Sequence, residues 1–357
     1  MKKIILTGGG SAGHVTPNLA LIPELEKRGW NVEYIGTHSG IERQLIGERV
    51  PYHPISAGKL RRYFDLQNFI DPFRVLKGVV DAYRILRRRK PKVIFSKGGF
   101  VSLPVAAAAK MLGIPVVLHE SDFTPGLANK LAAPLAAHIC LTFPETVKYV
   151  SQAKTTVTGN PIRRTLLDGS IQRGRETCGF DKSKPVILVM GGSLGAVRIN
   201  QTVRQALPTL LKNYQIVHIC GRGNIDPSID LKGYRQFEYV AEELPDIFAL
   251  ADIVISRAGA NALFELLTLK KPHILIPLSQ QASRGDQILN AKSFAEQGFS
   301  LVLEEEQLTA DSLTAAVDNL TLNKDRYLQA MSASKLTDAV SAVIEVIEST
   351  AKDKDLT

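Results

Sequence analysis

His14 is the residue whose type and setting most readily do chemistry. It follows Gly8, Gly10 and Gly13 in LTGGGSAGHVTP (6–17), at the start of a helical pattern and just beyond the apolar run KIIL. An imidazole titrates near neutral pH, so this position can supply a general base. Glu120, in IPVVLHESD, is a second candidate for that role. Another glycine turn, VMGGSLGA (189–196), sets Gly191, Gly192 and Gly195 beside the hydroxyl of Ser193. Free backbone N–H groups and a helix dipole there favour an anion. In ISRAGANALFE (255–265), small residues open a helix and let a ligand approach its first N–H groups, and Glu265 lies little more than a turn inside. A carboxylate in that place can accept both hydroxyls of a ribose. The following SQQASRGDQILNA places Gln280, Gln281, Gln287 and Asn290 as neutral donors and acceptors suited to sugar hydroxyls.

Gly8, Gly10 and Gly13 also match the spacing of a dinucleotide-binding turn. That motif needs an acidic residue at the end of the second strand, about twenty residues on, to hold a ribose. Here the second strand is NVEYIG, with Glu33 inside it and Gly36-Thr37-His38 at its end. The acid is misplaced, and a nicotinamide or flavin dinucleotide is not the expected ligand.

The elements that must position these groups alternate in type. Strands are predicted near 3–7, 32–36, 93–96, 115–118 and 138–142, with helical patterns at 17–29, 73–89 and 125–133 between them. A second series has strands near 186–190, 215–219, 236–239, 253–255 and 273–276, and helices near 197–212, 243–250, 260–269 and 286–296. Such alternation predicts an α/β fold with parallel sheets, and 357 residues are enough for two domains. The boundary is expected near TVTGNPIRRTLL. In open α/β sheets ligands sit beyond the carboxyl ends of the strands, so the glycine turns of two such domains are expected to face a cleft.

Composition narrows the class. The three cysteines, Cys140, Cys178 and Cys220, are far apart and form no metal-type spacing, which fits a reducing compartment. The only Asp-x-Asp, Asp353-Lys354-Asp355, lies in the charged tail, so no protein-held metal is expected. Too few apolar residues precede Gly8 for a signal peptide. The most apolar stretch, VSLPVAAAAKMLGIPVVL, carries Lys110 and two prolines and is read as a helix followed by a buried strand. The net charge of +9 is concentrated: from Lys59 to Lys92 there are eleven Lys and Arg against three Asp. Tyr63, Phe64, Phe69, Ile70, Phe73, Val75 and Leu76 are interleaved with them. Cations mixed with large apolar side chains suit an anionic lipid surface; a solvated helix face and a nucleic-acid surface are the other readings.

Taken together, GGGSAGHVTP, SKGGFVSLP, IPVVLHESD, GNPIR, GGSLGA and SRAGANALFE…DQILNA resemble, in order and along nearly the whole chain, the MurG family of glycosyltransferases. Members transfer N-acetylglucosamine from UDP-N-acetylglucosamine to undecaprenyl-pyrophosphoryl-N-acetylmuramyl-pentapeptide in peptidoglycan synthesis. The resemblance implies a GT-B fold of two Rossmann-like domains facing across a cleft. It assigns residues 1–162 to the acceptor and membrane, and 163–337 to the UDP-sugar, with a helix at about 338–352 crossing back. It also implies a peripheral position on the cytoplasmic face of the plasma membrane, no cofactor and no nucleic-acid partner. Carried over by position, Ser11, Ala12, Gly13 and His14 face the transferred sugar and diphosphate, Asp122 contacts the sugar, and Arg163 and Ser193 bind the diphosphate. Backbone near Val240 and Ala241 holds uracil. Ala260, Asn261, Ala262, Leu263, Phe264 and Glu265 line the phosphate and ribose, and Gln287 contacts the sugar. Ser96, Gly98, Gly99 and Ser102 are candidates for the acceptor's diphosphate. Relatives commonly carry Thr-Gly-Gly where this chain has Ser11-Ala12-Gly13, and Asn where it has Asp122. A related UDP-sugar:glycolipid transferase, such as a diacylglycerol glucosyltransferase, is the alternative.

Overall fold

The computed structural model describes residues 2–58, 71–150, 154–192, 195–280 and 285–353. The chain divides into two compact units, one of Met1–Arg163 with Asp338–Thr357, the other of Arg164–Thr337. The first is built on β1 (Lys2–Thr7), β2 (Trp30–Thr37), β3 (Tyr52–Ile55), β4 (Val93–Ser96), β5 (Val116–Glu120), β6 (His138–Leu141) and β7 (Lys154–Val157). Its helices are α1 (Thr16–Lys27), α2 (Ile41–Ile46), α3 (Asp71–Arg89), α4 (Ser102–Met111) and α5 (Leu127–Ala132). The seven strands lie in the order β3-β2-β1-β4-β5-β6-β7, and every neighbouring pair is parallel. A parallel sheet is covered on both faces, so its strands read as continuous apolar runs. Ile4 and Leu6 point to one face, against Leu21 and Leu25 of α1. Ile5 points to the other, against Ala82 and Leu86 of α3 and Val105 and Ala109 of α4. The apolar stretch containing Lys110 is thus α4 followed by β5, and no described helix is long and apolar enough to cross a membrane.

The second unit contains β8 (Val186–Met190), β9 (Gln215–Ile219), β10 (Tyr234–Phe237), β11 (Ile253–Ser256), β12 (His273–Leu275) and β13 (Leu301–Val302). These form a parallel sheet in the order β10-β9-β8-β11-β12-β13. Around it lie α6 (Ile171–Cys178), α7 (Val197–Leu210), α8 (Leu244–Leu250), α9 (Ala260–Thr268), α10 (Asp286–Glu296), α11 (Ala310–Leu322) and α12 (Lys324–Ala333). The last helix, α13 (Ala339–Asp353), belongs to the first unit. Val340, Val343, Ile344 and Ile347 enter the same core as Leu21 and Tyr34. Glu348 receives hydrogen bonds from Arg28 Nη1 at 3.1 Å and Trp30 Nε1 at 3.3 Å.

Both sheets share one topological feature. Strand order reverses between β1 and β4 in the first unit and between β8 and β11 in the second. Each reversal opens a crevice at the carboxyl ends of the strands, where ligands bind in such sheets. The turns after β1 and β4, and those after β8 and β11, are the segments the sequence marks as chemically equipped. Ser193 and Gln281, and most of the aromatic-basic run before Asp71, lie outside the described residues.

Candidate active site

In the first unit β1 ends at Thr7 and the chain turns through Gly8–Gly10 into a single 3-10 turn, Ala12–His14, before α1. Close approach forces glycine at Gly8, where a Cβ would lie 2.5 Å from the His14 carbonyl oxygen. Ser11 and Ala12 are exposed and Gly13 and His14 half-buried, so all four border open space. His14 Nδ1 lies 3.1 Å from the Gly9 carbonyl oxygen and 3.2 Å from Ser11 Oγ. A carbonyl only accepts, so Nδ1 carries the proton and Nε2 is left as the basic atom. Burial, seconded by the charge of Lys97, lowers the His14 pKa, against the opposing pull of the Gly9 carbonyl and Glu42. The imidazole is therefore neutral, as a base must be, at neutral pH.

Glu120 is set differently. Its carboxylate accepts from the backbone N–H of Asp122 at 3.0 Å and of Gly126 at 3.1 Å, and from Asn129 Nδ2 at 2.9 Å. Burial raises its pKa despite these bonds. Both oxygens are thus taken up by donors of the 122–126 loop and of α5. Asp122 sits half-exposed in the loop that Glu120 ties down.

Beneath this loop is a residue that sequence reasoning passed over. Lys97 is fully buried. Its ammonium bonds His119 Nδ1 at 2.7 Å, Asn160 Oδ1 at 2.9 Å and the Ser121 hydroxyl. His119 Nε2 in turn bonds the Gly159 carbonyl at 2.9 Å. Burial pushes the Lys97 pKa down to about 7, countered by the charges of Glu120 and Asp122. One amine thus joins the ends of β4 and β5 to the GNP turn (159–161) that leads to half-buried Arg163. The motif SKGGF contains it, but no spacing rule reveals a buried lysine that bonds only neutral partners.

The candidates around Gly98 divide. Ser96 and Ser102 are buried, and their hydroxyls bond each other at 2.5 Å. Each hydroxyl is thus engaged with the other. Gly98 and Gly99 have φ of +101° and +83°, and a Cβ on Gly99 would lie 2.1 Å from the Gly9 carbonyl oxygen. This turn packs directly on the His14 turn, and only its backbone is available to an anion. Glu33 is likewise withdrawn: Arg89 Nε bonds it at 2.7 Å, His53 Nε2 at 2.8 Å, and Lys3 Nζ lies 3.4 Å away. A carboxylate so paired holds no ribose, in line with the misplaced acid of the sequence.

In the second unit β8 runs into Gly191 and Gly192, and Gly195 leads to α7. The turn after β11 leads through Gly259 to the N-terminus of α9, which begins at Ala260. Asn261 and Glu265 are half-exposed on α9, with Ala262. Leu263 and Phe264 are fully buried, and the Phe264 ring packs edge-on against Phe294 with centroids 5.4 Å apart. Their side chains belong to the core, so any contact they make with a ligand is through backbone. Gln287 accepts from the Leu278 N–H at 3.1 Å, and Asn290 donates to the Ala258 carbonyl at 3.1 Å; both fasten α10 to neighbouring loops. Ala241 is exposed in the turn after β10, beside buried Val240. Arg257, also passed over, donates to the carbonyls of Ile276 and Pro277 at 3.1 and 3.3 Å and pairs with Glu305. Glu305 accepts from the Ser279 N–H at 3.2 Å, so this pair fixes the backbone just after β12.

Two parallel Rossmann-like sheets, each with glycine turns at its reversal point, are the architecture of the GT-B class. The family models agree. The glycosyltransferase family 28 N-terminal domain matches residues 4–141 and its C-terminal domain residues 186–346. The chain belongs to glycosyltransferase family 28. It is similar to a protein of Clostridium perfringens named UDP-N-acetylglucosamine–N-acetylmuramyl-(pentapeptide) pyrophosphoryl-undecaprenol N-acetylglucosamine transferase, 56% identical over 351 residues and 98% of each chain. A protein of the same name from Geobacillus kaustophilus is 58% identical over 354 residues, 98% of this chain and 99% of that one. Among solved structures, MurG of Acinetobacter baumannii superposes with a TM-score of 0.76 at 25% identity, over 98% of this chain and 100% of the other.

Proposed function

We propose that the chain transfers N-acetylglucosamine from UDP-N-acetylglucosamine to the C4 hydroxyl of an undecaprenyl-pyrophosphoryl-N-acetylmuramyl-pentapeptide. The observation that carries this is identity of 56–58% to transferases of that name over 98% of the chain. The acceptor oxygen attacks the anomeric carbon as the bond to the UDP oxygen breaks on the opposite face, so an α-linked donor gives a β-1,4 product. His14 Nε2 takes the hydroxyl proton. Charge developing on the departing diphosphate is met by Arg163, by the glycine turn after β8 and by the N-terminus of α9. Glu265 holds the ribose hydroxyls. Backbone near Ala241 holds the base, and Ser11, Ala12, Gly13, Asp122 and Gln287 border the sugar. The Gly98–Gly99 backbone receives the acceptor's diphosphate.

The acceptor is a lipid, and α3 suits a lipid surface. Phe73, Leu76 and Val80 recur at helical spacing and are 74%, 63% and 42% exposed. Arg84, Arg87 and Arg88 continue the exposed face. Exposed Leu76 and Val80 beside cations favour an anionic bilayer, whose boundary layer takes up aliphatic side chains, over a nucleic acid, whose bases stack on aromatic faces only. We place the protein on the cytoplasmic face of the plasma membrane, where a UDP-sugar is available.

The test is transfer of labelled N-acetylglucosamine to a lipid-linked muramyl-pentapeptide analogue, with EDTA in a parallel reaction. A β-1,4 disaccharide with and without EDTA supports the reading entire. Transfer to diacylglycerol in place of the muramyl lipid would assign the other glycolipid class. Loss of product with EDTA would bring in a metal.

A further inference from the structure

We infer that Glu42 is a positioning residue for His14, acting through the one peptide unit that joins Gly9 to Gly10. The inference rests on the reading of His14 as the base. Glu42 lies in the first turn of α2 and is fully buried. Its Oε2 accepts the Gly10 N–H at 3.3 Å. Its Oε1 accepts the Thr37 N–H at 3.0 Å and the Thr37 hydroxyl at 2.5 Å. Tyr52 closes the far side by donating its hydroxyl to the Thr37 carbonyl at 2.6 Å. Gly9, Gly36 and Gly40 wrap the carboxylate: a Cβ on any of them would lie within 2.7, 2.8 and 2.2 Å of its atoms, respectively. The side chain has one place to be, and that place is against the glycine turn.

The Gly10 N–H and the Gly9 carbonyl belong to the same peptide group. The bond is trans, so they point in opposite directions. Glu42 grips the N–H, and the carbonyl on the other side faces His14 Nδ1 at 3.1 Å. The order is carboxylate, peptide, imidazole. A carboxylate on the N–H polarises the peptide and strengthens its carbonyl as an acceptor. It also fixes the plane of a glycine peptide that is otherwise free to turn. Two consequences follow for His14: its proton is held on Nδ1, and its ring is aimed so that Nε2 is the basic atom. The charged groups facing His14 are Glu42 from α2 and Lys97 from the turn after β4. Tyr34 from β2, whose hydroxyl bonds the Gly8 carbonyl at 2.7 Å, and Tyr52 from β3 are held neutral by burial.

Glu42→Gln tests this in the full-length enzyme. Gln is isosteric but cannot accept from both Gly10 and Thr37, because one of its terminal atoms is a donor. In free enzyme labelled with 15N-histidine, with H14A identifying the resonance, His14 is expected to carry its proton on Nδ1. E42Q is expected to shift it towards Nε2. Turnover is expected to fall roughly 10- to 100-fold by misaligned proton transfer, with KM for UDP-N-acetylglucosamine within about twofold. The acid limb of kcat/KM should move to lower pH, since a negative charge that favoured imidazolium is gone. Glu42→Asp, which keeps the charge, should recover part of the loss. Wild-type tautomer and turnover in E42Q would overturn the inference. So would a loss of turnover matched by equal losses in UDP affinity and melting temperature, which a merely structural role gives. Full turnover in H14A would overturn the base reading instead, while the tautomer shift would still report the Glu42–His14 coupling.

Discussion

Replacing Phe73 and Leu76 of α3 by serine should release the protein from anionic membranes without altering its chemistry in detergent. The two side chains are 74% and 63% exposed, so most of their apolar surface is in water when the protein is free. Full transfer of such a side chain is worth about 1.5–3 kcal/mol. Scaled by exposure, the pair accounts for about 3 kcal/mol, which corresponds to a partition change of roughly 100-fold at 1.4 kcal/mol per decade. Arg87 and Arg88 add about 1 kcal/mol each near an anionic surface, and that part is screened by salt. Arg89 does not belong with them, although the sequence places it in the same run, because it is paired with buried Glu33. The assay is co-sedimentation with vesicles of phosphatidylglycerol and phosphatidylcholine at low and high salt. F73S/L76S should lower binding at both salts, and R87Q/R88Q mainly at low salt. R89Q should lower stability instead. Equal binding of wild type and F73S/L76S would refute the assignment of this face to lipid.

Other outcomes follow from the same geometry. His14→Ala should reduce turnover by roughly 100- to 10,000-fold, with UDP affinity by calorimetry little changed. The paired cations hold the Glu33 carboxyl down at about 2 from an ordinary 4.5. Its contribution to stability is therefore fully present above pH 4.5 and fades as pH falls towards 2. Urea titrations of Glu33→Gln and wild type should show the variant less stable at pH 7 and the gap narrowing steadily from pH 4.5 to pH 2; equal stabilities at pH 7 would mean the cluster is idle. Glu265→Ala should weaken UDP binding by roughly 10- to 100-fold, the loss of hydrogen bonds to a charged group, and should spare vesicle binding.

Much of the first sheet and of the second was legible because parallel strands buried on both faces must be apolar along their length. KIIL, VIFS and VILVM can do little else. The paired edge strand β3 was not legible: YHPI contains a proline and lies half-buried, and it becomes a strand because β2 is there to pair with. β7, KTTV, was missed for the same reason. The glycine turns, His14, and the placement of Glu265 on a helix start were marked by residue type and spacing, which are local properties. Whether a carboxylate serves a ligand or the fold is not local. Glu33, Glu42 and Glu120 are indistinguishable as letters. Folding gives Glu33 the side chains of Arg89, His53 and Lys3, Glu42 the Gly10 N–H with the N–H and hydroxyl of Thr37, and Glu120 two N–H groups of the following loop with Asn129 of α5. The same holds for Ser96 and Ser102, which pair with each other, and for Lys97, whose charge is buried among neutral partners. The chain's chemistry was written in its sequence as a set of candidates; burial and hydrogen-bond partners, which depend on residues tens of positions away, determined which of them are left facing open space.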